Sequence, residues 1–161
     1  MEPNPRLVTS PDGVLLREAG RLLHDFNTEF DTPSPGPDVL VHRLARSIGD
    51  QLFVVLGGEP PVGLAVVSLR PNVWFDGPVA LLDELYVAPD RRSQGLGRRI
   101  LDEARAEASR RGADIMEINV DEADVDAQRF YARAGFTMIE PDTGGRAFYW
   151  TGPTGRSAEP S

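Results

Sequence analysis

Apolar residues recur at helical spacing in some stretches of this chain and gather into short continuous runs in others. The helical spacing predicts helices over residues 10–29, 38–48, 98–111 and 125–134. Short runs rich in β-branched and aromatic residues predict strands over residues 6–9, 51–56, 62–69, 81–87, 114–120, 136–140 and 147–150. A hairpin followed by alternating strands and helices indicates a mixed α/β sheet of about six or seven strands, with about four helices on its two faces.

Local residues mark the expected ends of the helices. Ser10, Pro11 and Asp12 form a helix-start signal of capping hydroxyl, proline and acid. Asp38 is suited to cap the second helix, after a proline-rich break over residues 32–37. Gly112 is placed to end the third helix.

The composition limits the classes of protein that fit. The 161 residues suffice for one domain, predicted over residues 1–150, and the polar tail over residues 151–161 is expected to be disordered. A net charge of −8 argues against nucleic acid or an anionic membrane as the main partner. It suits a cationic substrate, although a solvated acidic surface is the commoner cause of such a charge.

Missing residue patterns narrow the classes further. Cysteine is absent, which excludes a disulfide framework and a thiol nucleophile. The N-terminus carries no signal-peptide pattern, and no apolar run approaches ~18 residues. We therefore expect a cytoplasmic protein with no membrane partner.

The chain is organised around residues 81–112, which are predicted to form a strand, a basic glycine-rich turn and a helix. Pro89 stops the strand because proline offers no ladder donor. Gly95 and Gly97 let a bulky anion approach the backbone, and free N–H groups at a helix start favour negative charge. The arginines around this turn add positive charge, so the stretch predicts an anion site.

Two acids interrupt the apolar strand. In a regular strand Leu82, Glu84 and Tyr86 share one face, and Asp83 and Leu85 share the other. An acid within a central strand is costly to bury unless it is paired or wet. We therefore expect at least one of Asp83 and Glu84 to face a substrate cleft, and a salt bridge to an arginine is the alternative.

Three other interpretations of the glycine-rich turn fit its residues less well. A nucleoside-triphosphate loop requires GxxxxGK[ST], which does not occur in the chain. A dinucleotide site for an oxidoreductase requires a third glycine, but Gly97 is followed by Arg98, Arg99 and Ile100. Plain helix capping is poorly served by arginines, because the start of a helix favours anions.

Two motifs together carry a resemblance to a known family. Residues 92–97, RSQGLG, match Arg/Gln-x-x-Gly-x-Gly/Ala after a strand and at the start of a helix. Residues 127–136, AQRFYARAGF, match Ala-x-x-Phe-Tyr-x-x-x-Gly-Phe. The chain resembles the GNAT family of N-acetyltransferases, which bind acetyl-CoA. The resemblance implies the family's acyl-CoA N-acyltransferase fold and acetyl transfer to a primary amine of a small molecule or peptide, by direct attack in a ternary complex without a metal. It also implies a possible homodimer, and a non-catalytic CoA-binding module is the alternative function.

The resemblance also implies a set of cofactor-binding residues. The backbone of Leu85, Tyr86 and Val87 would pair with the pantetheine arm as an added strand. The pyrophosphate would be held by Arg92, Ser93, Gln94, Gly95, Leu96, Gly97 and Arg98, and the last helix would contribute Asp124 and Ala127. Asp124 departs from the family's frequent asparagine, and an ionised aspartate cannot donate to the cofactor. Asp124 is equally suited to cap its helix.

Catalytic and acceptor residues follow from the same resemblance. Tyr131 is the candidate general acid, and its alternative is a core aromatic role. Glu84 is the candidate for binding or deprotonating the amine, directly or through water. The acceptor pocket would involve Phe26, Asn27, Glu29, Phe30, Asp31, Trp74 and Phe75, an aromatic and acidic lining that suits a cationic amine. Asp83 and Asn119 are further candidates for the substrate cleft, and a structural role is the alternative for Asn119.

Overall fold

The computed structural model describes residues 2–11 and 13–156. The chain divides into two compact units, one reaching to Ile118 and the other starting at Asn119. The first unit contains the sheet and three of the helices, and the second contains a short helix and a hairpin turn. No helix among the described residues is both long enough and apolar enough to cross a membrane.

The first unit contains one mixed sheet of five strands, in the order β1-β2-β3-β4-β5. Its first four strands pair antiparallel, and β5 pairs parallel with β4. The strands are β1 Arg6–Val8, β2 Leu52–Gly57, β3 Gly63–Arg70, β4 Val79–Val87 and β5 Met116–Ile118. The helices of this unit are α1 Val14–Glu29, α2 Pro37–Ser47 and α3 Leu96–Arg110, with a single 3₁₀ turn over Pro89–Arg91 between β4 and α3.

The helices cover both faces of the sheet. Side chains of α1 and α2, including Leu16, Leu22 and Leu44, form one core cluster with Leu64 and Val66 of β3. Helix α3 packs on the opposite face. Gly57 on β2 and Gly63 on β3 are paired, and a Cβ added at either would lie 2.7–2.8 Å from the side chain of Ile100. The two faces can therefore be told apart residue by residue along β3.

The first two helices do not begin where their local signals indicate: α1 begins later and α2 begins earlier. Helix α1 begins at Val14 and not at Ser10, because Gly13 has φ 105°, which a helix cannot continue through. Asp12, part of the predicted start signal, lies outside the described residues. Helix α2 begins at Pro37 after Gly36, so Asp38 lies in its first turn and does not cap it.

The second unit contains helix α4 over Val125–Arg133 and a turn that follows it. The strands predicted over residues 136–140 and 147–150 are absent from the described residues, so the prediction of six or seven strands was wrong in number. A single bridge joins Ile139 to Arg146, supported by Ala147 N–H donating to Met138 O at 2.7 Å.

The predicted tail falls partly within the described residues. Residues 151–156 contain no helix or strand. Residues 157–161 lie outside the described part of the chain, so the expectation of disorder is not tested there.

Candidate active site

A β-bulge interrupts strand β4 at the two acids. Val66 on β3 lies opposite Glu84, while its neighbour Val67 lies opposite Leu82. Asp83 therefore has no opposite residue, and the register shifts at this point. A bulge of this kind adds one residue to a strand and changes the direction of the side chains beside it.

The bulge places both acids on the face covered by α1 and α2. Opposite residues in an antiparallel pair share a face, so Glu84 lies with Val66, which belongs to the core under α1. Asp83 forms a side-chain hydrogen bond with Ser68, two residues from Val66 and on the same face. Leu82 lies opposite Val67 and faces α3. The prediction that Leu82 and Glu84 share a face was therefore wrong, because the extra residue shifts the alternation.

Both carboxyl groups of the bulge hold their protons more tightly than exposed acids do. Burial raises the pKa of Glu84 above its ordinary value of 4.5, and the negative charge of Asp83 raises it further. Burial also raises the pKa of Asp83 above 3.8, against a lowering by the hydrogen bond with Ser68. Raised pKa values suit groups that accept a proton near neutral pH.

Replacing Glu84 by glutamine is expected to stabilise the fold at neutral pH by about 1 kcal/mol, or about 2–4 °C in Tm. Because the pKa of Glu84 is raised in the folded state, the contribution of Glu84 to stability is most favourable below pH 4.5. It becomes less favourable as the pH rises, since Glu84 ionises first in the unfolded state. Glutamine never ionises, so its advantage is full above the folded-state pKa and vanishes below about pH 4. Calorimetric melting at pH 4 and pH 7.5 measures this difference.

Glu122→Gln, in the exposed turn before α4, is the matched control. It removes the same charge without relieving a buried carboxylate, and its Tm is expected to change by less than 1 °C. A gain for Glu84→Gln that persisted unchanged at pH 4 would contradict the role of burial.

Beyond the bulge, one edge of β4 lacks a strand partner in the described part of the first unit. Pairing with β5 ends at Leu82 and Ile118. Ala88 N–H donates to Val62 O at 2.8 Å, so backbone groups of Ala88 point toward β3. Since successive residues alternate in this respect, the N–H and C=O groups of Val87 and Leu85 point toward the uncovered edge. An extended ligand can pair with such an edge.

The glycine-rich turn follows at the end of this edge. Ser93 has φ 61° and Gly95 has φ 83°, left-handed conformations that bend the chain before α3. No side chain caps the start of α3, and the first turn of the helix contains no acid. The first helical bond runs from Arg99 N–H to Gly95 O at 3.1 Å, so the backbone amides before Arg99 have no carbonyl within the helix to pair with. This arrangement is suited to an anion.

Arginines surround the turn, and carboxylates from distant parts of the chain already hold several of them. Arg91 pairs with Glu2, and Arg99 lies 3.4 Å from the same carboxylate. Gln94 donates weakly to Asp90 O at 3.4 Å, and Arg98 pairs with Asp102 along the helix at 3.0 Å. The turn is therefore rich in positive charge, but an incoming anion must compete with these carboxylates for the arginines.

Arg92 connects the turn to the end of helix α1. Its Nε donates to Val87 O at 2.8 Å, and its Nη2 donates to Glu29 Oε1 at 2.7 Å. The guanidinium lies 5.6 Å from the ring centre of Tyr86, whose hydroxyl donates to the same Glu29 oxygen at 3.3 Å. Burial and the nearby Glu29 carboxylate raise the pKa of Tyr86. Phe26 packs on Tyr86 with ring centres 5.1 Å apart.

The structure brings together only part of the predicted acceptor set. Phe26, Glu29 and Phe30 gather beside Tyr86, with the rings of Phe26 and Phe30 5.4 Å apart. Trp74 lies in the loop before β4 and is 86% exposed. Because a strand rises about 3.3 Å per residue, Trp74 and Tyr86 lie at opposite ends of β4.

Asn72 shapes the loop that contains Trp74 and Phe75. Its Oδ1 accepts the N–H groups of both residues at 2.9 Å, and its Nδ2 donates to Gly77 O at 2.8 Å. Asn72 is not among the predicted site residues, although asparagine beside a turn is a known signal for this motif. Asn119 is exposed and lies one residue past β5, because the pairing with β4 ends at Ile118.

The second unit contains the remaining candidates. Asp124 caps α4, with its Oδ1 accepting Ala127 N–H at 3.0 Å. Tyr131 is half-buried between two aromatic side chains of the same unit, Phe130 at 5.2 Å and Phe136 at 5.9 Å between ring centres. Of the two roles considered for Asp124, cofactor contact and helix capping, the hydrogen bond to Ala127 supports capping.

Comparison with known proteins places this architecture among acetyltransferases. The model of the acetyltransferase (GNAT) family matches residues 19–136. A crystal structure from Arthrobacter sp. FB24, provisionally described as an acetyltransferase, is 46% identical, covers 94% of this chain and 96% of that chain, and has a TM-score of 0.85.

More distant relatives agree in fold. The aminoglycoside N(6')-acetyltransferase type 1 of Serratia marcescens is 33% identical over 82 residues, 49% of this chain and 56% of that protein. The chain spans about half the length of the curated relatives it matches. The structure of AAC(6')-Iy with the bisubstrate analogue CoA-S-monomethyl-acetylneamine is 15% identical over 94% of this chain and 99% of that chain, with a TM-score of 0.72, which shows a shared fold.

The family model covers most of the first unit and reaches Phe136 in the second. The mixed sheet, the uncovered edge of β4 and the glycine-rich turn before α3 all have residues within that range. The chain therefore belongs to the acetyltransferase (GNAT) family.

Proposed function

We propose that this protein is an acetyl-CoA-dependent N-acetyltransferase that acts on a primary amine of a small, positively charged molecule. One observation carries the proposal: residues 83–87 of β4 offer two carboxylates on one face and uncovered backbone groups on one edge. A single five-residue segment thus provides for an amine and for an extended cofactor side by side.

The residues of the first unit fit the cofactor. The uncovered edge at Leu85 and Val87 suits the amide groups of a pantetheine arm, and the uncapped start of α3 suits a pyrophosphate. Arg92, Ser93, Gln94, Gly95, Leu96, Gly97 and Arg98 are the residues proposed to hold it. When bound, acetyl-CoA supplies the acetyl group as an activated thioester.

Negative charge on the same face supports a cationic acceptor. Asp83, Glu84 and Glu29 all belong to the side of the sheet covered by α1 and α2. The ring pair Phe26 and Tyr86 beside Glu29 adds aromatic surface on which a cation is favoured. Aminoglycosides, for which one relative of this chain is named, and polyamines carry several ammonium groups and fit such a face. The aminoalkylphosphonate named in another relative carries an anionic phosphonate and fits it less well.

The proposed chemistry divides between an acid and a base. Glu84, with its raised pKa, would accept the proton that the acceptor's ammonium group must lose before its nitrogen attacks, directly or through water. Tyr131 is proposed, on its motif, to donate a proton to the leaving sulfur. No enzyme nucleophile is needed when both substrates are held together. This proposal takes residues 1–150 as one catalytic domain.

Binding and turnover test the proposal separately. Calorimetric titration is expected to show acetyl-CoA binding well below ~1 mM, and absence of binding at that concentration would refute the proposal. Sisomicin, spermidine, an aminoalkylphosphonate and a peptide N-terminus then form the acceptor panel. Because the chain contains no cysteine, a thiol reagent reports only the CoA that is released. If acetyl-CoA bound but no amine were acetylated, the alternative of a non-catalytic CoA-binding module would replace this function.

A further inference from the structure

The contacts of Arg92 raise a question about the order in which substrates bind. Arg92 occupies the first position of the glycine motif, where a pyrophosphate is expected, yet its guanidinium is already committed to Glu29 and to Val87 O. Glu29 belongs to α1, 63 residues away in sequence, and lies among the aromatic residues proposed for the acceptor. One side chain therefore touches both halves of the proposed site.

Both contacts of Arg92 coincide with groups that the substrates need. Val87 O points toward the uncovered edge of β4, where a pantetheine amide would donate. Glu29 Oε1 accepts from Arg92 at 2.7 Å and from Tyr86 at 3.3 Å, so the negative charge of the Glu29 carboxylate is already paired with the guanidinium. In this arrangement a cationic amine and an anionic cofactor each meet an occupied partner.

We propose that Arg92 is a latch that masks Glu29 until the cofactor binds, and that the unmasked Glu29 then binds the ammonium group of the acceptor. Arg92 exchanges the carboxylate of Glu29 for phosphate oxygens and releases Val87 O at the same time. The exchange keeps the guanidinium paired throughout, and the released carboxylate of Glu29 keeps the hydrogen bond from the Tyr86 hydroxyl. The consequence is ordered binding with the cofactor first.

The inference rests on the proposed function, because the latch opens only for a ligand with a pyrophosphate. It adds the masking of Glu29 by Arg92, which does not follow from the glycine motif. The ion pair is partly exposed, with side-chain exposures of 40% for Arg92 and 24% for Glu29, so the exchange needs no rearrangement of the core.

Titration of CoA into five forms of the protein tests the latch without any acceptor. Glu29→Gln keeps the shape and the hydrogen bond from Tyr86 but removes the competing charge, and it is expected to lower the Kd for CoA about fivefold to tenfold. Asp25→Asn removes the same charge one turn earlier on α1, where Asp25 pairs with Arg21 at 3.0 Å, and is expected to change the Kd less than twofold.

The coupling to Arg92 is measured in the same series. Arg92→Gln is expected to raise the Kd for CoA, and adding Glu29→Gln to it is expected to have less than a twofold effect. Equal effects of Glu29→Gln and Asp25→Asn, or an undiminished effect of Glu29→Gln without Arg92, would overturn the latch. Failure of the unaltered protein to bind CoA at all would instead refute the proposed function, and the latch with it.

Binding of sisomicin tests the second half of the proposal. Saturating CoA is expected to tighten sisomicin binding to the unaltered protein at least fivefold, and less than twofold in Glu29→Gln. Equal binding with and without CoA, or no detectable binding in either condition, would rule out the unmasking of Glu29 for this class of amine.

Discussion

Replacing Glu84 by glutamine is expected to lower kcat for the acetylated amine by about 10²–10⁴-fold, the usual contribution of a general base. Glutamine preserves the size of the side chain but cannot accept a proton. Steady-state kinetics across pH measures the effect. In the unaltered enzyme, kcat/KM should fall as the pH drops through the raised pKa of Glu84, and this acid limb should disappear in Glu84→Gln.

The neighbouring acids supply the controls for this experiment. Glu117→Gln removes a carboxylate from β5 that pairs with Arg70 on the exposed surface, and it should change kcat less than twofold. Asp83→Asn removes the charge that raises the pKa of Glu84, so the acid limb should move to lower pH. A larger loss of kcat in Asp83→Asn than in Glu84→Gln would transfer the role of base to Asp83.

Replacing Tyr131 by phenylalanine is expected to lower kcat by about 10²-fold while leaving the Kd for CoA within twofold. The substitution removes only the hydroxyl and keeps the edge-to-face packing with Phe130 and Phe136. A proton donor lost from the leaving group slows the chemical step without weakening the ground-state complex. Single-turnover kinetics with the acetylated amine isolates that step.

A second tyrosine of the same unit serves as the matched control for Tyr131. Tyr149 is 70% exposed, and Tyr149→Phe should leave kcat unchanged within twofold. If Tyr131→Phe reduced the melting temperature by several degrees and left kcat intact, its hydroxyl would be structural. The alternative of a core aromatic role would then describe Tyr131 better.

The course of β4 shows where sequence patterns stop being informative. Alternation along the strand places Asp83 and Glu84 on opposite faces, and nothing within the strand signals the extra residue. The bulge exists because Val66 and Val67 of β3 pair with residues on either side of Asp83. Only the pairing of two strands defines a register, so only the structure shows that the two acids lie on one face.

The helix ends illustrate the same limit at shorter range. Ser10 and Asp38 carry good capping side chains, yet α1 and α2 begin after Gly13 and Gly36. Both glycines adopt positive φ, with values of 105° and 95°, and these conformations interrupt the helix whatever precedes them. A capping side chain stabilises a helix start but does not by itself choose its position.

By itself, the sequence determined the segments that are proposed to bind the cofactor. The glycine-rich turn, the start of α3 and the FYARAGF segment depend on residues close together in the chain, so local patterns reveal them. Only the tertiary structure decided how the residues proposed for the acceptor are arranged. The Asp83 and Glu84 pair requires the register of β3 on β4, and the contact of Arg92 with Glu29 joins residues 63 positions apart. Contacts of that kind arise from packing whole elements together, and no local pattern records them.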